Sequence, residues 1–391
     1  MKAINKNVIA LGWVSFFTDM ASAMIVPILP IFIVTVLNSG ADKLGVVLAI
    51  SSFISYFLRF FAGYIAEKMR VVKPLMLLGY ILSAVCKPLF FWSASWQAVA
   101  SIRAVERLGK SVRTAPKDLL ISHYAVWGKS GQSFGFHKMM DISGEFVGIL
   151  IVFLLFYFYG ANESLIRTIF IYTAIPGVIA IFIMLVFVKD IDYQAQLDKK
   201  KTKFETTIKA DSKIHSSDRK LATPLVFFFL FTFFIFEESF FILRSQQLSF
   251  SLTLIPLLVM VSKLTQSLVS YKMGLLIDSH SHSKMMGLAY FSGLVSLALF
   301  ISGEALLIWL GFAVYGFYSV SSLNIMRAFI SENSVNTGSV FGVFYAGMAI
   351  ALALGALFFG FVWQAYGGQV ALEISLVGGS LLFTGYYWTN R

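Results

Sequence analysis

The sequence predicts an all-α membrane protein with twelve transmembrane helices in two six-helix pseudo-repeats. Of its 391 residues, 58% are hydrophobic and only 13% are charged, and the mean hydropathy is +0.79. Soluble domains carry about 25% charged residues, so this composition excludes a soluble globular protein. The single cysteine, Cys86, excludes an internal disulfide and a cysteine-based zinc site.

Twelve segments have the roughly 20 mostly apolar residues that a spanning helix needs. They begin near Val8, Leu44, Pro74, Trp96, Phe134, Ile166, Pro224, Leu252, Met285, Ala305, Gly338 and Gln369. Between the sixth and seventh segments the chain is rich in Lys, Asp, Ser and Thr, which is typical of a soluble linker. We therefore expect an N-terminal six-helix bundle at residues 1–188, a cytoplasmic linker at 189–223 and a C-terminal six-helix bundle at 224–391.

Basic residues concentrate in alternate loops, and this bias predicts the orientation. They cluster at 68–73, at 110–129 and in the linker, whereas the other loops hold little beyond Lys43 and Arg167. Cytoplasmic loops carry the excess of Lys and Arg. Both termini are therefore expected in the cytoplasm, for a protein of the cytoplasmic (inner) membrane.

Two motifs recur in corresponding places of the two halves. A glycine, an acidic residue four positions later and a lysine ten positions later occur at 63–73 and again at 274–284. A Gly-x-x-Phe-Gly motif opens the fifth segment of each half, at 131–135 and 338–342. Such internal repeats are typical of secondary transporters, whose sites lie near the bilayer midplane between the repeats.

The motif after the second helix resembles the cytoplasmic signature of the major facilitator superfamily, and the resemblance extends over essentially the full chain. Its first copy has Glu67 where Asp is usual and Arg70 where Gly is expected. In the second copy Asp278 is followed by Ser279 and His280 instead of a basic residue. The resemblance implies a transporter with two six-helix halves and gating contacts at this motif.

A closer resemblance is to a bacterial subgroup whose fourth helix reads approximately Asp-Arg-x-Gly-Lys-Gly-x-Arg-Thr-Ala-Pro-Arg-Asp. Residues 106–118 read Glu-Arg-Leu-Gly-Lys-Ser-Val-Arg-Thr-Ala-Pro-Lys-Asp. Further similar positions are Phe17, Thr18, Asp19, Pro27, Pro30, Phe134, His137, Asp141, Glu238 and Arg244. Members of the subgroup are mostly assigned as transporters of unproven substrate, so the resemblance implies transport and leaves the cargo open.

The first helix carries a polar stripe of Ser15, Thr18, Asp19 and Ser22, with Asp19 near mid-depth. We expect this stripe to line a cavity, because acidic residues inside a membrane are usually functional. The alternative is that Asp19 pairs permanently with an arginine and only ties helices together.

The fifth helix spaces His137, Asp141 and Glu145 four residues apart, which makes them candidates for a proton path. Acids in a low-dielectric site and histidine both titrate near physiological pH. The alternative is that the glycines of this helix permit close packing while its acids pair with Lys87 or Arg103.

The seventh helix places Glu237 and Glu238 side by side, and only Glu237 shares a helical face with Arg244. We therefore expect Glu237 to pair with Arg244 and Glu238 to face the cavity. Lys263 is a second candidate ion-pair partner for either acid. With Asp19 and the fifth-helix residues, these two acids complete the predicted proton-coupling set.

The fourth helix divides into a site and a gate. Arg103, Glu106 and Arg107 lie near mid-depth, whereas Lys110–Asp118 form the cytoplasmic end. The predicted substrate-binding residues are Arg103, Arg107, Glu106, Ser15, Ser22, Arg59, Lys87, Lys263, Tyr315 and Tyr318. The predicted gating residues are Gly63, Glu67, Lys73, Arg113, Lys117, Gly274 and Asp278.

These observations predict a secondary active transporter that moves a small organic solute by alternating access, with protons as coupling ion. The cargo is expected to be a small organic anion, such as a carboxylate or siderophore; a proton-driven multidrug efflux pump and a non-transporting receptor or scaffold are the alternatives. Gly109-Lys110-Ser111 lacks the upstream glycine of a P-loop, and no catalytic motif occurs, so we expect no enzyme activity, cofactor or nucleic-acid partner. The expected partners are the solute, protons and lipid, for a monomeric protein.

Overall fold

The computed structural model describes residues 4–69, 72–125, 130–191, 220–277, 281–335 and 337–389. Within these ranges the structure describes the backbone but not the side chains of residues 59–69, 130–131, 271–272, 274–277 and 337. The described residues form helices and no β-strand, which confirms the predicted fold class.

Helices of the first half precede the predicted linker. They are α1a (Lys6–Ala23), α1b (Leu29–Ile31, continued as a π-helical turn at Phe32–Val36), α2 (Ala41–Met69), α3 (Lys73–Leu89), α4 (Trp96–Tyr124), α5 (Ser130–Tyr159), α6a (Glu163–Tyr172) and α6b (Ala174–Phe187). Those of the second half are α7a (Ala222–Phe234), α7b (Glu238–Gln247), α8 (Ile255–Ile277), α9 (His282–Ser302), α10 (Ala305–Asn333), α11 (Thr337–Tyr366) and α12 (Gly368–Thr389).

Nine helical segments in the described ranges are long and apolar enough to cross a membrane. Three predicted spans are not among these nine segments. They are the broken first helix (α1a with α1b), the charged α4, and α8, whose apolar part covers only Ile255–Ser270. Each of these three lies where the sequence predicts a span, and each contributes residues to the central cavity described below.

The first helix of each half is broken. In the first half, α1a ends at Ala23 and α1b begins at Leu29 with Pro30 in its first turn, as the two prolines predict. In the second half, α7a ends at Phe234 and α7b begins at Glu238, although no proline or glycine lies between them. Helix breaks at membrane depth are tolerated where the backbone lines a cavity, and both breaks do so.

The two halves meet through α2 against α11, α5 against α8, and α1b against α7b. At one end the contact is close: Ala41 N donates a hydrogen bond to Gln364 Oε1 at 2.9 Å, and a Cβ added at Gly45 would collide with the Ala356 carbonyl. Gln246 also donates a hydrogen bond to Thr35 across the halves. We call this the closed end. It lies opposite Asn7, which accepts a hydrogen bond from Lys189 N at the other end of α1a.

Helices α1a and α5 lie in close backbone contact because two glycines of α5 face α1a. A Cβ at Gly144 would collide with the carbonyl oxygen of Phe16, and one at Gly148 with that of Met20. These two glycines therefore permit close packing of α1a and α5. The close packing also places the polar stripes of the two helices side by side.

We expect Gly144→Ala to force α1a and α5 apart and to lower stability by about 1–3 kcal/mol, the usual cost of overpacking. The midpoint of thermal unfolding of the purified protein measures the effect. Gly135→Ala is the matched control on the same helix, since an added Cβ there meets no atom within 4 Å. Equal midpoints for the two variants would show that the α1a–α5 contact is loose.

Candidate functional site

A cavity of about 270 Å³ lies between the two halves. The first half contributes residues of α1a, α1b, α2, α4 and α5, and the second half contributes α7b, α8 and the break before α7b. Its charged lining residues are Asp19, Arg103, Arg107, Lys110, Glu145, Glu237, Glu238 and Lys263. Charged groups from distant parts of the sequence therefore face one shared space.

Lys110 lines the cavity together with Arg103 and Arg107. From the sequence, Lys110 was expected with the gate, at the cytoplasmic end of α4. Lys110 therefore belongs to the cavity lining as well as to the predicted cytoplasmic end of α4. Residues spaced i, i+4 and i+7 share one face of a helix, and this spacing was the available signal.

Two arginines of α4 share a single carboxylate. Arg103 Nη1 lies 2.9 Å from Glu106 Oε2, and Arg107 Nε lies 3.4 Å from the same oxygen. Glu106 is fully buried behind the arginines rather than at the cavity surface. This trio carries one more positive than negative charge, so the α4 wall of the cavity is cationic.

The acids of α7 have different partners. Lys263 Nζ lies 3.1 Å from Glu238 Oε2, which closes one ion pair within the second half. Glu237 also lines the cavity, and its Oε2 is shielded from solvent without a hydrogen-bond partner among the described residues. Arg103 and Arg107 of α4 line the same cavity as Glu237.

The predicted pair of Glu237 with Arg244 is wrong. Arg244 Nε donates to the carbonyl oxygen of Phe300 at 3.2 Å, and its Nη2 donates to Gln369. The helix breaks before Glu238, so Glu237 has an extended backbone and no longer shares a helical face with Arg244.

A second cavity, of about 190 Å³, lies beside the first and is lined mainly by the second half. Its lining residues are Ser52, Tyr56, Phe228, Thr232, Ile235, Phe236, Glu237, Tyr315, Tyr318, Ser319, Ser322, Leu323, Met348 and Leu352. We call it the aromatic compartment. The predicted stripe of Tyr315 and Tyr318 faces it, and Ser52, Tyr56 and Glu237 line both cavities.

The fifth-helix residues form a buried group inside the first half. Ser15 Oγ and His137 Nε2 are hydrogen-bonded at 2.8 Å, His137 Nδ1 lies 3.4 Å from Asp141 Oδ1, and Lys117 Nζ donates to Ser15 Oγ at 3.3 Å. We call Ser15, Lys117, His137 and Asp141 the His137 cluster. The histidine thus pairs with Asp141 on its own helix.

The His137 cluster connects with the cavity through the two adjacent stripes. Asp19 follows Ser15 by one turn on α1a, and Glu145 follows Asp141 by one turn on α5. Asp19, Ser22 and Glu145 line the cavity, whereas Ser15 and His137 are buried outside it. Polar groups therefore run from the cluster to the cavity along the α1a–α5 contact.

Other predicted residues lie away from the cavity. Lys87 is 1% exposed, and its Nζ donates to the Thr18 carbonyl at 3.5 Å. Arg113 is buried 4.7 Å above the ring of Tyr80, and Lys73 Nζ donates to the Leu185 carbonyl at 3.2 Å. Arg113 and Lys73 thus join helices within the first half.

Some predicted positions cannot be placed. The sites assigned to Arg59, Gly63, Glu67, Gly274 and Asp278 lie outside the described side chains. The gating motif therefore stays a prediction from sequence.

A multi-pass helical fold of two halves around a shared charged cavity defines a membrane transporter class. The sequence model of the Major Facilitator Superfamily matches residues 11–356, and the chain belongs to that superfamily. It is 29% identical to an uncharacterized MFS-type transporter of Methanocaldococcus jannaschii, covering 97% of this chain and 93% of the relative.

Solved structures show the same fold. The nucleoside transporter NupG aligns with a TM-score of 0.81 at 14% identity, covering 98% of this chain and 99% of its own. The human organic anion transporter MFSD10 aligns with a TM-score of 0.64 at 13% identity, covering 97% and 99%. A POT family transporter in complex with 5-aminolevulinic acid gives 0.75 at 10% identity, covering 97% and 95%. At these identities the similarity establishes the fold and not the cargo.

Proposed function

We propose that this Major Facilitator Superfamily transporter is a proton-coupled secondary transporter of a small organic solute. The bundles at 1–188 and 224–391, joined by the linker at 189–223, would rock about the central cavity. The observation that carries the proposal is one cavity lined by charges from both halves and sealed at the closed end. The basic loops support cytoplasmic termini, and the resemblance of the fourth helix to the bacterial subgroup supports a place in a bacterial cytoplasmic membrane. One chain as the transporting unit is part of the proposal.

The proton site in this proposal is the His137 cluster with Asp19 and Glu145. His137 is buried and in contact with the half-buried Asp141, and the stripe along α1a and α5 connects them with the cavity. Ionisable groups inside membranes serve as proton relays in pumps and transporters. Glu237 and Glu238 are the corresponding acids on the second half.

The anion site in this proposal is the α4 wall. Arg103 and Arg107 share one carboxylate, and Lys110 has no ion pair among the described residues. Arginine binds carboxylates in a bidentate geometry, so a carboxylate on the cargo is the group that this wall fits. A carboxylate-type siderophore is one such cargo.

The aromatic compartment favours a second candidate, a proton-driven multidrug efflux pump. Apolar and aromatic walls beside a few polar groups accept amphipathic molecules. Phe228, Phe236 and Met348 provide such walls.

A receptor or scaffold that moves nothing is less consistent with the cavity. Such a protein needs its charges neutralised internally, since an unpaired charge in the membrane is costly. Asp19, Lys110 and Glu145 line the cavity without an ion pair in the described part of the chain.

Uptake into proteoliposomes under an imposed pH gradient tests the proposed function. The probes are radiolabelled amino acids, small carboxylates and nucleosides, each with and without an uncoupler. We expect at least one probe to accumulate, and the uncoupler to abolish its accumulation. Accumulation that survives the uncoupler would contradict proton coupling, and failure of every probe to enter would contradict transport of these solutes.

A further inference from the structure

We infer that the cargo is a zwitterion with an apolar side group, of the size of an aromatic amino acid, and that its three groups bind three separate parts of the cavity. The inference rests on the proposed transport function and specifies the substrate class of the same site. It follows from the charge balance of the cavity, from the unpartnered Glu237 and from the aromatic compartment.

The cavity has no positive surplus to offer a simple anion. Its charged lining residues are the acids Asp19, Glu145, Glu237 and Glu238 and the bases Arg103, Arg107, Lys110 and Lys263. These are four acids and four bases. A purely anionic cargo would disturb this balance, whereas a zwitterion leaves it unchanged.

The two halves differ in the sign of their net charge around the cavity. Among the described residues of the first half, the six cations Arg103, Arg107, Lys110, Lys87, Arg113 and Lys117 outnumber the four acids Asp19, Glu106, Asp141 and Glu145. Among the lining residues of the second half, the two acids Glu237 and Glu238 outnumber the base Lys263. The cavity is therefore dipolar and fits a dipolar cargo.

Glu237 is the acid of the second half that is available to a cationic group of the cargo. Glu238 beside it is paired with Lys263, whereas Oε2 of Glu237 has no partner in the described part of the structure. A shielded carboxylate oxygen without a partner is costly, and an ammonium group of the cargo would satisfy it. The broken backbone at Ile235–Glu237 holds this oxygen where the two cavities meet.

The apolar side group of the cargo binds in the aromatic compartment. This compartment begins at Glu237 and extends between Phe228, Phe236, Tyr315 and Tyr318. A carbon that bears a carboxylate, an ammonium and an apolar side group has the three branches that these three places require. In the proposed binding mode, the carboxylate therefore binds α4, the ammonium binds Glu237 and the side group enters the aromatic compartment.

A matched ligand series tests this binding mode on the purified protein. L-phenylalanine carries all three groups, 3-phenylpropionate lacks the ammonium, 2-phenylethylamine lacks the carboxylate and glycine lacks the ring. We expect phenylalanine to bind at least about 10-fold more tightly than each of the others, because a site built for a polar group rejects analogues that lack it. Isothermal titration calorimetry gives the affinities, and ligand-induced shifts in unfolding temperature confirm them.

Two variants assign the contacts. Glu237→Gln should reduce phenylalanine affinity to about that of 3-phenylpropionate and leave 3-phenylpropionate binding as it was. Arg107→Gln should reduce phenylalanine affinity to about that of 2-phenylethylamine. Glu163→Gln is the control: this acid is exposed and pairs with Arg167 far from the cavity, so all four affinities should stay unchanged.

Several outcomes would overturn the inference. If 3-phenylpropionate binds as tightly as phenylalanine, the site recognises an anion only, and if 2-phenylethylamine does so, it recognises a cation only. No binding of phenylalanine, or equal phenylalanine affinity in Glu237→Gln, also overturns it. None of these results decides proton coupling, which the pH-gradient uptake experiment tests separately.

Discussion

Asp141→Asn is expected to abolish accumulation of the transported solute under a pH gradient while leaving solute exchange intact. An amide is close in shape to a carboxylate but cannot take up or release a proton. Asp141 lies 3.4 Å from His137 inside the His137 cluster and outside the cavity lining, so its replacement leaves the cargo contacts in place. Cargo binding and the movement of the halves should therefore continue.

Proteoliposomes separate the two activities in this variant. Uptake against a gradient measures coupling, and counterflow of labelled for unlabelled solute at equal pH measures exchange. We expect wild-type counterflow and background accumulation for Asp141→Asn, and wild-type values of both for the surface control Glu163→Gln. Normal accumulation by Asp141→Asn would exclude Asp141 as the coupling acid.

Glu106→Gln should have the largest effect on stability. Glu106 is fully buried, and both Arg103 and Arg107 pair with its carboxylate. Removing one partner of a buried ion pair costs about 3–5 kcal/mol, because the remaining charge stays buried without compensation. Here two arginines depend on one carboxylate, so we expect the midpoint of thermal unfolding to fall sharply and the yield of folded protein to drop.

The double variant Glu106→Gln/Arg103→Gln provides the matched comparison. It removes one of the two uncompensated cations, so its unfolding midpoint should lie above that of Glu106→Gln alone. If the double variant is no more stable than the single variant, the loss comes from packing at Glu106 and not from the unpaired charges.

The sequence predicted the fold class and most charged residues of the cavity, because both depend on local patterns. Apolar segments of spanning length and a charged helical stripe are visible in the residue order. Pro30 likewise predicts the break in the first helix. Lys110 shares a helical face with Arg103 and Arg107, and this face indicates a place in the cavity lining more directly than a count of residues along the helix.

The pairings between helices were beyond sequence reasoning. Ser15 and His137 are 122 residues apart, and Lys117 reaches the same hydroxyl from a third helix. Such contacts depend on how each helix is rotated about its axis, and residue order alone does not reveal this rotation. In a chain with 40 Phe, nothing distinguished Phe228 and Phe236 as cavity walls.

The break before α7b shows how one unseen feature changes a prediction. The residues between Phe234 and Glu238 include no helix breaker, so continuous helical spacing was assumed for Glu237 and Arg244. Next to the break, α7b packs against α1b, a contact between the halves. The break moves Glu237 from a predicted ion pair to the junction of the two cavities.

The most direct test of alternating access is a distance measurement across the closed end. Spin labels at Lys43→Cys on α2 and Tyr366→Cys on α11, in a chain with Cys86→Ala, flank the contact between Ala41 and Gln364. Double electron–electron resonance should show a short and a long distance in the wild-type background, with proportions that change between mildly acidic and mildly alkaline buffer. In Asp141→Asn the proportions should stay constant with pH. A single distance under all conditions in the wild-type background would contradict alternating access about this cavity.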